Sequence, residues 1–365
     1  MGTVAIYRSS YETVDQVVRQ AFEDLPLELT GKSVLVKPNI LGPFEVERHI
    51  TTHPAVVAAV LKEVRRRGPR EVMVGDNPGM RGYGANLECA RRAGILAVCD
   101  GTYVNLSEGA RRVPIKSRFV DEVLASHQVM DVDVLITVPK MKTHLVTTLT
   151  AAVKNAFGHL VGGQKSELHR RALGAWNFSE LVVDVYQLRP PDFVVVDGIV
   201  AMEGKGPSSD ELYEAGVIIA GTNGVEVDAV VATLMGAPPE RVPLLSVAAT
   251  RGLGGIDPNH LSLNGDLAPL PNYKLPSSLS GGWVETLAAR LLTHIMVSQP
   301  VLIKEKCVRC GMCARHCPVE AVTMEPYPVI DKRRCISCFC CHEFCKHNAM
   351  DVAKRIKFFR KRFRY

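Results

Sequence analysis

The chain has 365 residues, 47% of them hydrophobic, and a formal net charge of +6. That length is too great for one small core and sufficient for two or three domains, and the composition is that of a globular, soluble protein. Seven cations lie in the last twelve residues (Lys354, Arg355, Lys357, Arg360, Lys361, Arg362 and Arg364), which leaves the rest of the chain at −1. A nearly neutral body excludes a nucleic-acid footprint spread over one face.

The start, "MGTVAIYRSSYETVDQ", has no basic stretch followed by an apolar one, so no secretory signal is expected. No apolar run reaches the roughly 18 residues needed to span a bilayer. The expected compartment is the cytoplasm, where thiols stay reduced, and eleven cysteines there point to metal rather than to disulfides.

Residues 1–260 alternate between strand-like and helix-like runs. Strands are predicted at Val4–Tyr7, Ser33–Pro38, Glu71–Asp76, Val132–Val138, Phe193–Asp197 and Gly216–Ala220. Each is a continuous apolar run, as in strands covered on both faces. The clearest helix is "TTHPAVVAAVLKEVRRRG": Thr52 or His53 caps it, Pro54 suits its first turn, and Gly68 stops it. Its Val56, Val57, Val60, Leu61 and Val64 form one apolar stripe. A second helix is predicted from Leu145 to Phe157, with Thr147, Thr150 and Lys154 on one face. Such alternation predicts an α/β domain with a mostly parallel sheet covered by helices. Residues 253–281 are rich in Gly, Pro, Asn and Ser and read as a linker. A short amphipathic helix is predicted around Trp283–Met296, ahead of a cysteine segment at Val301–Val352.

Unusual polar residues recur just past the predicted strands. "VKPN" places Lys37 and Asn39 there, "VGDNPG" places Asp76 and Asn77, "LITVPKMKTH" places Lys140, Lys142, Thr143 and His144, and "VVVDGIVAMEGKGP" places Asp197 and Glu203. In open α/β sheets ligands bind at the carboxyl edge, so four such loops together outline a pocket. Lys154, Lys165 and His169 add to its cations, which implies an anionic ligand. For any one lysine a solvated face is the simpler reading; for the cluster a site is favoured. No nicotinamide-type or P-loop glycine motif occurs. "GKGPSS" (Gly204–Ser209) is a glycine-rich loop able to cradle an anion. His49, His53, His144, His159 and His169 lack the partners of a metal motif.

Cys307, Cys310, Cys313 and Cys317 have C-x2-C-x2-C-x3-C spacing, and Cys335, Cys338, Cys341 and Cys345 repeat it at an offset of 28. In such runs three cysteines hold one cluster and the fourth reaches across to the other. One cluster is therefore assigned to Cys307, Cys310, Cys313 and Cys345, and the second to Cys335, Cys338, Cys341 and Cys317. Structural zinc favours paired C-x2-C units and fits this spacing poorly. Cys340 is an extra thiol, either packed and inert or an alternative ligand.

Over about fifty residues the segment resembles bacterial-type dicluster ferredoxins, with Lys346 standing where the second run would have proline. The strings "VLVKPNI", "THPAVVAAVL", "VGDNPG", "VPKMKTH", "AVKNAFG", "VVVDGIVAMEGKGP" and "VDAVVATLMG" together resemble the domain-of-unknown-function family 362 over about residues 1–255. The resemblance implies an α/β domain (1–255), a linker and helix (256–300), a small C-terminal dicluster ferredoxin-like α+β domain (301–353) and a basic aromatic tail (354–365). On matching positions it makes Lys37, Asn39, His53, Asp76, Lys140, Lys142, His144, Lys154, Asn155, Asp197 and Glu203 pocket candidates. Among these, Lys140, Lys142, His144 and Lys154 are the catalytic candidates.

Two functions fit. One is an iron–sulfur oxidoreductase passing electrons through two [4Fe-4S] clusters to or from an anionic small molecule in the pocket, with a soluble electron-carrier protein as partner. The other is a non-catalytic electron relay or cofactor-maturation protein whose α/β domain binds a partner or cofactor. The tail "KRIKFFRKRFRY" interleaves cations and aromatics. Packing of its aromatics on the protein is the favoured reading, and contact with an anionic membrane surface the runner-up.

Overall fold

The computed structural model describes residues 3–78, 85–276 and 296–356, except 318, 337, 338, 344 and 346. The N-terminal part is built on nine strands among the described residues: β1 (Thr3–Arg8), β2 (Ser33–Pro38), β3 (Glu71–Val74), β6 (Val134–Val138), β7 (Lys140–His144), β8 (Thr148–Thr150), β9 (Phe193–Met202), β10 (Leu212–Gly221) and β11 (Ser262–Asn264). A separate hairpin, β4 (Arg111–Pro114) and β5 (Glu122–Ala125), lies off the sheet. The order is β11-β1-β10-β9-β6-β2-β3, with β7 on the far half of β9 and β8 on β7. β3, β2, β6 and β9 run parallel. The predicted sixth strand, β10, runs against both of its neighbours.

The apolar runs are explained by burial on both faces. Val194 and Val196 face a core shared with α8 (Ala175–Leu188), α9 (Gly224–Leu234) and α10 (Pro243–Thr250). Phe193 and Val195 face the opposite core, with α1 (Val14–Asp24), α2 (Pro54–Arg66) and α3 (Asn86–Arg92). Alternate residues thus enter different apolar layers, and neither set can be polar. In α2 the His53 side chain accepts from Ala55 N, Pro54 opens the helix, and the predicted stripe is buried.

The helix expected over Leu145–Phe157 is absent. The chain forms β8, then α6 (Ala152–Asn155) and a 3-10 turn at Ala156–His159. Val146, Thr147, Thr148 and Thr150 are β-branched and suit a strand. The helix starts where the Asp228 carboxylate accepts Ala152 N at 2.7 Å and Val153 N at 2.9 Å. Residues 256–276, expected as linker, pack on the α/β body instead. β11 pairs with β1, and buried Tyr273 donates its hydroxyl to Met202 O at 2.6 Å. The helix expected at Trp283–Met296 lies outside the described residues, apart from Met296, which begins a strand.

The C-terminal segment is a small α+β unit. β12 (Met296–Leu302) pairs antiparallel with β15 (Met350–Ile356), and β13 (Val322–Met324) with β14 (Pro328–Ile330). α11 (Met312–Arg315) and α12 (Cys340–Glu343) follow the cysteine loops. Lys354–Ile356 continue β15 rather than starting a helix, and the rest of the tail lies outside the described residues. Among the described residues no helix is long and apolar enough to cross a membrane.

Candidate functional site

At the carboxyl edge of the sheet a cavity of about 90 Å³ opens between the ends of β2, β3 and β7 and the turn after α6. Its polar wall holds Asn39, Asp76, Lys142, His144, Lys154, Asn155 and Lys165; Ile40, Leu41, Phe157, Pro207 and Cys340 form an apolar wall. Asp76 is the one carboxylate among the described lining residues, and it is already compensated. Its Oδ1 lies 2.6 Å from Lys37 Nζ, and its Oδ2 accepts Ile40 N at 2.7 Å. Lys37 Nζ also donates to Asn155 O at 2.8 Å. The cations of the wall therefore leave a net positive cavity.

A chain of hydrogen bonds orients the amides. Lys142 Nζ donates to Asn39 Oδ1 at 2.6 Å and to Ile50 O at 2.8 Å. Asn39 Nδ2 donates to Asn155 Oδ1 at 3.1 Å, and Asn155 Nδ2 to Thr137 Oγ1 at 2.7 Å. Two neutral acceptors thus fix the position of Lys142 Nζ. His144 Nδ1 accepts Val146 N at 3.1 Å and Thr147 N at 3.2 Å, so that nitrogen carries no proton. The Lys154 ammonium lies over the rings of Phe157 (4.9 Å) and Phe178 (5.3 Å), and His169 stacks on Phe178 at 3.9 Å. Lys165 Nζ donates to Asn77 O. Burial pushes the Lys165 ammonium down to about 7, Asp76 opposes this, and Lys37 and Lys154 push the same way. Thr150 lines the same wall with a buried hydroxyl that has no hydrogen-bond partner among the described atoms.

Gly158 matters for close approach. A Cβ there would lie 2.3 Å from Asp76 Oδ1 and 2.5 Å from Lys37 Nζ. Gly158→Ala should therefore lower stability by about 1–3 kcal/mol, as overpacking does. Denaturant titration checks this; an unchanged midpoint would show that the ion pair yields freely.

Several candidates stand elsewhere. Lys140 and Asp197 do not line the cavity. They face each other in register between β7 and β9 as a fully buried pair at 2.8 Å. Lys140 Nζ also donates to Tyr11 OH at 3.2 Å, and Asp197 Oδ2 accepts His53 N at 2.9 Å. Burial lowers the Lys140 pKa and Asp197 counteracts it. His53 caps α2 and stacks on Tyr11 with ring centroids 3.7 Å apart. Lys37 is one layer behind the wall. Glu203 accepts Lys274 N at 2.9 Å on the far side of β9. In the Gly204–Ser209 loop three amides are already engaged within the protein: Gly204 N donates to Lys274 O, Gly206 N to Thr143 Oγ1 and Ser209 N to Met202 Sδ. Thr147 donates its hydroxyl to Leu149 O at 3.0 Å instead of joining a helical face. Two supporting positions went unread in the sequence: Asp228, which accepts the first amides of α6, and Tyr11, which contacts Lys140 and His53. A carboxylate inside the apolar run "VEVDAVVATL" was the available signal for Asp228.

The cysteines surround two further cavities. Cys307, Cys310, Cys313 and Cys345 line one. Cys317, Cys335 and Cys341 line the other, together with Cys340; Cys338 lies outside the described residues. Among the described residues the first cavity thus holds four cysteines, and the second holds three with Cys340 beside them. Ala321 N donates to Cys317 Sγ and Ala349 N to Cys345 Sγ, each at 3.1 Å. Residues 321 and 349 are equivalent across the repeat, and amide donors of this kind stabilise thiolate sulfur. Burial pushes the Cys313 thiol up to about 11, so a thiolate there calls for a cation beside it. The first set supplies the four thiols that a [4Fe-4S] cluster takes. Cys340 is buried against Phe44, Ile50 and Met202, and its side chain lines the cationic cavity as well as the second cysteine cavity.

A mostly parallel α/β domain with a cation-lined edge, carrying a ferredoxin-type cysteine unit, defines an iron–sulfur electron-transfer protein. The chain belongs to the family described as "Domain of unknown function (DUF362)", whose model matches residues 34–233. The model for "4Fe-4S binding domain" matches residues 300–323, so the C-terminal unit binds a [4Fe-4S] cluster. The chain is similar to "Thylakoid-associated protein sll1697" of Synechocystis sp. (strain ATCC 27184 / PCC 6803 / Kazusa), 32% identical over 257 residues, covering 68% of this chain and 78% of that protein. Among solved structures it is loosely similar to the lactate racemase apoprotein from Thermoanaerobacterium thermosaccharolyticum (TM-score 0.38, 15% identity, 60% of this chain and 54% of that one). A protein from Thermotoga maritima is comparable (TM-score 0.39, 11% identity, 59% and 56%). The chain thus spans little more than half the length of these two structures.

Proposed function

We propose that this protein is an oxidoreductase that exchanges electrons between two [4Fe-4S] clusters and a small anionic molecule bound in the cationic cavity. One observation carries the reading: Cys340 is a wall residue of both the second cysteine cavity and the cationic cavity. A pocket for an anion and a redox group therefore share one side chain. The clusters, when bound by Cys307, Cys310, Cys313 and Cys345 and by Cys335, Cys338, Cys341 and Cys317, supply one-electron chemistry. Lys142 and Lys154 bind the anionic head, and the Asn39–Asn155 amides hold Lys142 in place. The Lys165 ammonium, poised near neutrality, holds a proton beside the ligand. Lys140, a catalytic candidate in the sequence, takes no part here, because Asp197 holds it behind the wall. We place the protein in the cytoplasm with a soluble electron carrier as partner.

Anaerobically purified protein should carry about eight iron and eight acid-labile sulfide. Stoichiometric zinc without broad visible absorption would overturn the reading. Cys317→Ala should damage the cluster held mainly by the second run; harm confined to the first would reverse the assignment. Dithionite-reduced protein should be reoxidised by some small carboxylate or phosphate ester without a partner. Full clusters with no reoxidation by any anion would favour the relay or maturation reading.

A further inference from the structure

The two cysteine cavities face different surroundings. The second is tied to the α/β domain through Cys340, and its neighbours Ile336 and Phe339 border a cavity shared with Leu145, His169 and Phe178. The first is lined, among the described residues, only by the C-terminal unit, and Cys310 is exposed. Exposed Lys304, Lys306, Arg309 and Arg315 stand on the same loops. Arg315 Nη2 donates to Cys310 O at 2.9 Å, which seats its charge beside that cysteine. Lys304 and Arg309 share the Tyr327 ring, at 4.9 and 5.6 Å. Among the described residues none of these four cations pairs with a carboxylate. Glu305, Glu320 and Glu325 are the acids between residues 304 and 329, and Glu320 lies 3.4 Å from Arg334, so the excess is positive. Val308, 56% exposed, and Val329, 48% exposed, add apolar surface to the rim.

We propose that this rim is the docking face for an acidic one-electron carrier protein, and that electrons cross from the first cysteine set to the second and then to the cationic cavity. The inference rests on the function proposed above. Exposed valines among uncompensated cations match the build of an electron-transfer interface, with a small apolar centre and a charged border that steers encounter. An acidic carrier is the complementary partner, and the association is of the weak, transient kind. With a cluster held by Cys307, Cys310, Cys313 and Cys345, the transfer would oxidise the carrier by one electron and reduce that cluster by one, with no bond formed or broken.

The test uses the full-length, cluster-loaded protein and an acidic plant-type ferredoxin as probe. Binding is measured by titration at several salt concentrations, and electron transfer by stopped flow. The double variant Lys306→Glu, Arg309→Glu should weaken binding and slow transfer by about tenfold or more at low salt, with the difference shrinking as salt rises. Lys332→Glu, Arg333→Glu, beside the second set, should change either by less than about twofold. Iron content of both variants should match the parent, which excludes misfolding as the cause. Equal losses in the two variants, no loss in either, or a rim-dependent affinity for anionic vesicles or nucleic acid in place of the carrier would each overturn the proposal. Reoxidation of dithionite-reduced protein by small anions needs no carrier. Its failure with docking intact would strike the pocket reading alone, and its persistence without docking would strike this inference alone.

Discussion

Lys140→Met is expected to destabilise the α/β domain by about 3–5 kcal/mol, the usual consequence of leaving one member of a buried ion pair uncompensated. Lys140 and Asp197 are both fully buried, 2.8 Å apart. With the ammonium gone, Asp197 keeps His53 N at 2.9 Å and a long contact from Ile199 N at 3.4 Å, but no charge opposes it. Tyr11 loses its donor at the same time. For a domain of this size the melting temperature should fall by about 6–20 °C. The double variant Lys140→Met, Asp197→Asn should recover more than half of the loss, because the amide oxygen still accepts His53 N while the charge is removed. Denaturant unfolding followed by far-ultraviolet circular dichroism gives the double-mutant cycle. A single-variant cost below about 1 kcal/mol would show that water or a rearranged neighbour reaches Asp197. Cluster content should not change, since the cysteines lie in another unit.

This pair also shows what the sequence could and could not reveal. "VPKMKTH" places Lys140 and Lys142 two residues apart on a strand, so both side chains point to the same face of the sheet. Yet Lys142 reaches the cavity while Lys140 meets Asp197 behind it, because the register between β7 and β9 shifts between the two. Periodicity reports a face and not a bulge. Central strands such as β2, β6 and β9 were legible because burial on both faces leaves a continuous apolar run, and α2 because its apolar stripe repeats at helical spacing. The segment after His144 was not, because its strand is three residues long and its short helix depends on Asp228, 76 residues away from Ala152. Glu203 failed for a similar reason: its partner, Lys274, sits in a stretch whose composition resembles a linker. The iron–sulfur character of the C-terminal segment was legible because cluster chemistry constrains cysteine spacing directly.

Sulfate affinity of the cationic cavity is expected to fall as pH rises above about 7, approaching tenfold per pH unit. Lys165 is the cause. It is buried, donates to Asn77 O, and titrates near 7 because burial outweighs the attraction of Asp76, with Lys37 and Lys154 adding repulsion. His159, also buried, is pushed well below the ordinary histidine range and adds no charge. A bound dianion favours the ammonium, so above pH 7 each binding event must take up a proton. Sulfate does not titrate in this range and isolates the protein's contribution. The same linkage acts on folding with a defined sign. Between about pH 7 and the ordinary lysine value near 10.4 the unfolded chain holds a proton that the folded chain lacks, so this residue makes stability rise with pH through that window. Lys165→Met should weaken sulfate binding at pH 6 by about tenfold or more, the worth of a charged hydrogen bond, and flatten the profile. Lys154→Met should weaken binding and keep the slope, with its onset moved to higher pH, because Lys154 no longer repels the Lys165 ammonium. Calorimetry in two buffers of different ionisation enthalpy measures the proton uptake directly. A wild-type affinity that is constant from pH 6 to pH 9 would remove Lys165 from the binding charge and leave Lys142 and Lys154 to carry it.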